Sequence, residues 1–123
     1  MNWIYVFIGG GLGSVFRFGL SQLFHKVNFK LPLATLSANV IASLVLVLAV
    51  IYIQKNSMGQ SYLPFLLVIG FCGGLSTFST FSWETFALFR AGQDMWAWMN
   101  ILLNVLLSIV VIFMLAKQLQ PQQ

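Results

Sequence analysis

Four long stretches of mostly apolar residues constrain this chain more than any other feature. They run from about Trp3 to Leu23, Leu33 to Ile53, Tyr62 to Arg90 and Met95 to Leu115. A helix that crosses a bilayer needs about 20 predominantly apolar residues. Backbone in lipid must satisfy its own hydrogen bonds, which favours helices at such lengths. The connectors, Phe24–Leu31, Gln54–Ser61 and Ala91–Asp94, are too short for a soluble domain. The pattern predicts an all-α membrane protein whose residues 1–123 form a single four-helix transmembrane domain. Composition agrees: 7% of residues are charged, against about 25% in soluble domains.

Segment ends carry the expected punctuation. Pro32 and Pro64 suit helix starts, where the missing N–H costs nothing. Trp3, Tyr52, Tyr62, Trp96 and Trp98 lie where interfacial aromatic anchors sit. The first segment opens without a basic leader and ends near Arg17 rather than at a small-residue cleavage site, so no cleavable signal peptide is expected. The Gln-rich tail after Lys117 reads as a frayed polar end. The net charge of +4 comes from six Lys and Arg near segment ends, which argues against a nucleic-acid partner. Lone Cys72 has no partner for an intrachain disulfide and reads as a small packing residue.

The third segment departs from a plain anchor. Residues 70–84 read Gly-Phe-Cys-Gly-Gly-Leu-Ser-Thr-Phe-Ser-Thr-Phe-Ser-Trp-Glu. Glycine costs helix stability, and hydroxyl groups at membrane depth need partners. Irregular backbone survives there only if buried in protein or lining a wet cavity. The 29 residues from 62 to 90, at about 1.5 Å each, also exceed a hydrocarbon core of about 30 Å. The segment is therefore expected to break mid-membrane into two half-helices. Such breaks present carbonyls and helix ends to ions.

Orientation signals are sparse. With four spans, both termini share a side with Lys55 and Lys117, while Lys26, Lys30 and Arg90 lie on the other with Asp94. So even a basic balance gives little positive-inside bias. Such a chain can insert both ways and form an antiparallel, dual-topology homodimer. The other reading is a single orientation.

Enzyme chemistry finds no foothold. The only His is His25, an interfacial side chain, and the only carboxylates are Glu84 and Asp94. No nucleophile–His–acid set, metal-spaced Cys/His cluster or phosphate loop can be assembled from these. Glu84 either caps or pairs near the interface or serves as a relay. Arg17 either snorkels to headgroups or draws anions into a vestibule. Gly9, Gly10, Gly11 and Gly13 make a small-residue face, with Gly9 and Gly13 spaced for close helix approach.

Polar residues on the other segments narrow the possibilities. Asn39 stands in segment two, with Thr35 and Ser43 four residues to either side. Asn100, Asn104 and Ser108 recur at i, i+4 and i+8, on one face of segment four. Such a stripe faces another helix as polar glue or lines a wet track. Phe78 and Phe81, three apart, share a helix face. An aromatic ring has a positive edge, which can solvate an anion weakly, while amides and hydroxyls supply stronger contacts. Without a fixed cation the anion can leave, as conduction requires.

Three runs closely resemble the Fluc family of bacterial fluoride channels, also called CrcB proteins. They are Gly10-Gly11-x-Gly13-x-x-x-Arg17, Thr35-Leu36-x-x-Asn39, and Gly70-Phe71-Cys72-Gly73-Gly74-Leu75-Ser76-Thr77-Phe78-Ser79-Thr80-Phe81-Ser82-x-Glu84. The third is long and specific, and the resemblance covers nearly the whole chain. It implies a channel for passive, selective export of fluoride across the bacterial plasma membrane, built as an antiparallel homodimer with two pores. It implies that Phe78, Phe81, Asn39 and Thr80 line the pore, with Thr80 between the rings and a polar track at Asn104 and Ser108. It further implies a structural Na⁺ at the dimer centre, held by the backbone carbonyls of Gly73 and Ser76. Ser76 stands where the family carries Thr, a change of little consequence if the carbonyl is the ligand. Two other classes fit the size: a small dual-topology exporter of organic cations, which would want an acidic residue deep in segment one, and a structural membrane subunit.

Overall fold

The computed structural model describes residues 1–117 and 119, so most of the Gln-rich tail lies outside the described residues. Four helical spans follow one another: α1 (Asn2–Phe24), α2 (Leu33–Lys55), a composite third span (Pro64–Arg90), and α5 (Asp94–Ala116). Each is long and apolar enough to cross a membrane. The third consists of a π-helix (Pro64–Cys72), a short α-turn α3 (Gly73–Leu75), and α4 (Phe78–Arg90).

The expected break is present. Ser76 (φ −70°, ψ 153°) and Thr77 (φ −151°, ψ 125°) are extended, between α3 and α4. The local sequence explains how the chain restarts. The Thr77 hydroxyl accepts the backbone N–H of Thr80 at 3.2 Å, an N-cap for α4. The Ser76 hydroxyl turns back to the Cys72 carbonyl at 2.8 Å. At its far end α4 closes with Gly92 at φ 70°, the Gly92 N–H on Phe89 O and the Gln93 N–H on Leu88 O. Those are the paired bonds of a Schellman motif, which wants glycine in the left-handed position.

The π winding was not foreseen. Its wide turn meets α1 along Gly9 and Gly13, both buried. A Cβ added to Gly9 would overlap the Leu66 carbonyl, and one on Gly13 would overlap the Phe71 carbonyl. From the other side, a Cβ on Gly74 would overlap Gly10 O. The glycine face of α1 therefore lets two backbones touch, as its spacing predicted. Gly11 and Gly19 face open space, so only part of the glycine content does this work.

At the level of the break the core is small: Ala38 and Ala42 of α2 and Leu75 of α3, flanked by Leu20, Ile41 and Phe71. Alanines at this point bring α2 close enough for the side chain of Asn39 to reach Thr77. Cys72 is buried and free, in keeping with a packing role.

Candidate functional site

Asn39 organises the site. It lies on α2 opposite the break, where its Oδ1 accepts the Thr77 N–H at 2.8 Å. Its Nδ2 donates to Asn104 Oδ1 at 2.8 Å and, more loosely, to Thr77 O at 3.4 Å. The Thr77 N–H, which the break leaves without a helical acceptor, is thus paired by a side-chain amide. Ser43, one turn further along α2, bonds back to Asn39 O.

Around this point a groove of about 270 Å³ is lined by Asn39, Ser43, Ser76, Thr77, Phe78, Phe81, Asn104, Val105 and Ser108. The structure therefore brings together Asn39, Phe78, Phe81, Asn104 and Ser108 from three separate spans. Phe78 and Phe81 meet with ring centroids 5.6 Å apart and planes inclined by 48°. Phe78 is 80% exposed, so its ring forms a wall that the described residues leave largely uncovered.

Thr80 stands apart. It lines a second cavity of about 300 Å³ with Ser14, Arg17, Phe18, Ser21, Ala34, Thr35 and Glu84. The reason is helical geometry: at about 100° per residue, Thr80 points away from the face that Phe78 and Phe81 share. Arg17 is half-buried in this second cavity. Glu84 takes a hydroxyl partner, with Thr35 Oγ1 donating to Oε1 at 2.8 Å, while its Oε2 is buried without a hydrogen-bond partner among the described residues. Thr35 and Glu84 were singled out separately from the sequence, but nothing in their spacing showed that they meet.

Gly73 and Ser76 are exposed on one side of the break. They share a hollow of about 240 Å³ with Ala42, Ser43, Leu46, Val68 and Cys72. That hollow adjoins the groove through Ser43 and Ser76. Among the described residues, no group of three His, Cys, Asp or Glu could hold a metal. A cation at this place would depend on oxygen donors from backbone and hydroxyl groups, the donor set that hard monovalent ions accept. The end of α3 supplies them, since the last carbonyls of a terminating helix lack intrahelical partners and carry its negative dipole end.

The sequence did not identify Thr77 or Thr85 as bonding residues. Thr77 could have been found from the N-cap pattern, a Thr set just before a renewed helix. Thr85 sends its hydroxyl to Phe81 O at 2.8 Å and accepts Asn100 Nδ2 at 2.9 Å, a contact between spans with no local signal.

A span split mid-membrane, with an amide-bracketed peptide and a polar groove beside it, defines a small multi-pass helical membrane protein of the ion-pathway class. The comparisons place it more narrowly. Residues 4–116 match the family described as CrcB-like protein, Camphor Resistance (CrcB), and the chain belongs to that family. A "Fluoride-specific ion channel FluC" of Serratia proteamaculans is 42% identical over 106 residues, covering 86% of this chain and 84% of that protein. Proteins of the same name from Escherichia fergusonii and Salmonella arizonae are 41% and 40% identical over 101 residues, covering 82% of this chain and 80% of each relative.

Proposed function

We propose that this chain is a fluoride-selective channel that lets cytoplasmic fluoride leave the cell passively. The observation that carries the reading is the convergence of Asn39, Phe78, Phe81, Asn104 and Ser108 on one groove beside the helix break, in a chain whose relatives bear a fluoride channel's name. It is a channel and not an enzyme. A fluoride ion that enters the groove exchanges water for the Asn39 amide, hydroxyl groups and the edges of two rings. None of these is a fixed cation, so the ion is held weakly enough to move on. Passive flow suffices for detoxification, because in acidic surroundings fluoride is protonated to neutral HF, which crosses into the cell and is trapped there as the anion.

The functional unit in this reading is an antiparallel homodimer with two pores in the bacterial plasma membrane. Polar surface supports a second copy. Gly73 and Ser76 are exposed at the break in the third span, where lipid-facing irregular backbone is not tolerated, and the hydroxyl residues Ser79 and Thr80 are exposed just beyond it. A second chain covers them and supplies the missing wall of the Phe78 groove. A Na⁺ ion between the two breaks would be held by the carbonyls of Gly73 and Ser76 from both copies, and it would neutralise the two helix ends that face each other there. Arg17, in the neighbouring cavity, raises positive potential where anions approach.

The test is efflux from liposomes that hold the purified protein. Fluoride, followed by electrode, is released within the dead time of the assay while chloride is retained. Equal chloride release refutes the selectivity. Absence of any ion flux, with loss of a larger complex on deletion, favours a structural subunit.

A further inference from the structure

Two residues outside the groove complete a directed hydrogen-bond circuit around it. The Thr77 N–H donates to Asn39 Oδ1 at 2.8 Å. Asn39 Nδ2 donates to Asn104 Oδ1 at 2.8 Å. Asn104 Nδ2 donates to Asn100 Oδ1 at 3.0 Å, and also to Asn100 O at 3.0 Å. Asn100 Nδ2 donates to Thr85 Oγ1 at 2.9 Å. Thr85 Oγ1 donates to Phe81 O at 2.8 Å. The circuit leaves α4 at its N-cap, crosses α2 and α5, and returns to α4 one turn later, beneath Phe81.

Its polarity is fixed from both ends. A backbone N–H can only donate and a carbonyl can only accept. The hydrogen of Thr85 is committed to Phe81 O, so its oxygen must accept, which requires Asn100 to present its NH₂ group. That leaves Asn100 Oδ1 for Asn104, whose oxygen then takes the amide of Asn39. Reading from Thr77 gives the same orientation for every amide. The only slack bond is the 3.4 Å contact from Asn39 Nδ2 to Thr77 O. Its hydrogen is the one an anion in the groove can claim.

We propose that Asn100 and Thr85 are positioning residues for anion conduction: they lock the orientation of the Asn104 and Asn39 amides, so that an N–H rather than a C=O is presented to the groove. Asn100 is fully buried, and neither residue lines the groove. The inference rests on the channel reading above. If the lock is released, Asn104 can turn over, and Asn39 loses the acceptor that holds its amide in place. A carbonyl oxygen in the groove would repel the anion that the N–H attracts.

Four variants and one spectroscopic measurement test this. Asn100→Leu removes the side-chain acceptor for Asn104, leaving it only the backbone carbonyl of residue 100, and Thr85→Val removes the acceptor for Asn100 at nearly constant shape. Fluoride efflux per folded dimer should fall by about tenfold in each, the scale of one buried polar group left unpaired. Thr85→Ser keeps the acceptor and should conduct like the wild type. In an Asn39→Ala background, adding either substitution should change efflux by less than about twofold, because coupled residues are not additive. Wild-type efflux in Asn100→Leu and Thr85→Val overturns the proposal, as does the full loss repeated on top of Asn39→Ala, which would mark a packing role alone. A wild-type protein that fails to conduct refutes the channel reading instead. Side-chain amide hydrogen exchange then still decides the lock: the Asn39 NH₂ should exchange faster in Thr85→Val than in Thr85→Ser, and equal rates overturn it.

Discussion

Asn39 meets both backbone polar groups of Thr77, with Oδ1 2.8 Å from the N–H and Nδ2 3.4 Å from the carbonyl oxygen. One short side chain thus does for the break what a helical turn does elsewhere. Thr77 is buried, and its N–H depends on that partner. Asn39→Leu should therefore lower stability by about 1–3 kcal/mol, the cost of a buried donor left unsatisfied. Thermal unfolding in detergent measures it. An unchanged midpoint would show that the break holds itself in place.

Packing between α1 and the third span makes a second, sign-specific prediction. Gly9→Ala and Gly13→Ala place a methyl group against carbonyl oxygens of the π-helix, which cannot move without separating the helices. Each should destabilise by about 1–3 kcal/mol, the usual range for overpacking. Gly11→Ala faces open space and should be neutral or stabilising by up to about 1 kcal/mol, since alanine is the better helix former. Unfolding midpoints of the three variants, compared side by side, check both the magnitude and the change of sign.

How far the sequence revealed this architecture depends on where its signals lay. The spans and the broken helix were legible because apolar length and a glycine–hydroxyl cluster are both local features. The meeting of Phe78 with Phe81 followed from a spacing of three. The π winding left no trace, because Pro64–Cys72 is apolar almost throughout and a run without polar positions does not distinguish one helical period from another. Pairs such as Thr35 with Glu84, or Asn100 with Thr85, join different spans, so neither residue announces its partner. The resemblance implied Thr80 between the rings; within the single chain the helix turns it toward Arg17 and Glu84.

The two rings should differ from their surroundings in what they control. Phe81→Ala and Phe78→Ala remove ring edges from the groove while leaving the hydrogen-bond circuit intact. Fluoride efflux should drop by about two- to tenfold in Phe81→Ala, on the scale of one lost aromatic contact of about 0.5–1.5 kcal/mol. Phe78 is mostly exposed in the single chain, so its replacement should cost little monomer stability while still slowing flux. Unchanged efflux in both variants would move the pathway to the cavity that holds Arg17 and Thr80.

The Na⁺ assignment predicts an ion-dependent assembly. If carbonyls of Gly73 and Ser76 from two copies hold the ion, replacing Na⁺ by a large organic cation should weaken the dimer without altering helix content. Sedimentation in detergent, together with circular dichroism, would read both quantities. Ser76→Thr preserves the carbonyl and should keep the Na⁺ dependence; Ser76→Pro leaves a carbonyl but removes the N–H that bonds Cys72 O at 3.0 Å, so the end of α3 should loosen and the dependence fade. A dimer indifferent to Na⁺ would refute the shared site.

Dual insertion yields the last prediction. With Lys55 and Lys117 on one side and Lys26, Lys30 and Arg90 on the other, the orienting charges almost cancel. A single cysteine placed at Gln60, in the connector after α2, on a Cys72→Ala background, should be labelled by a membrane-impermeant thiol reagent from outside intact cells in about half of the molecules, an estimate that follows from balanced charges. Adding two lysines to that connector should drive it to the cytoplasmic side, abolishing outside labelling. The same change should abolish fluoride efflux, because chains that all point one way cannot pair in antiparallel. Co-expression with a variant biased the opposite way, through lysines added near Lys26, should restore it. Full activity from the singly biased chain would mean that the two copies need not be inverted, and the groove beside Phe78 would then have to be closed by a parallel neighbour.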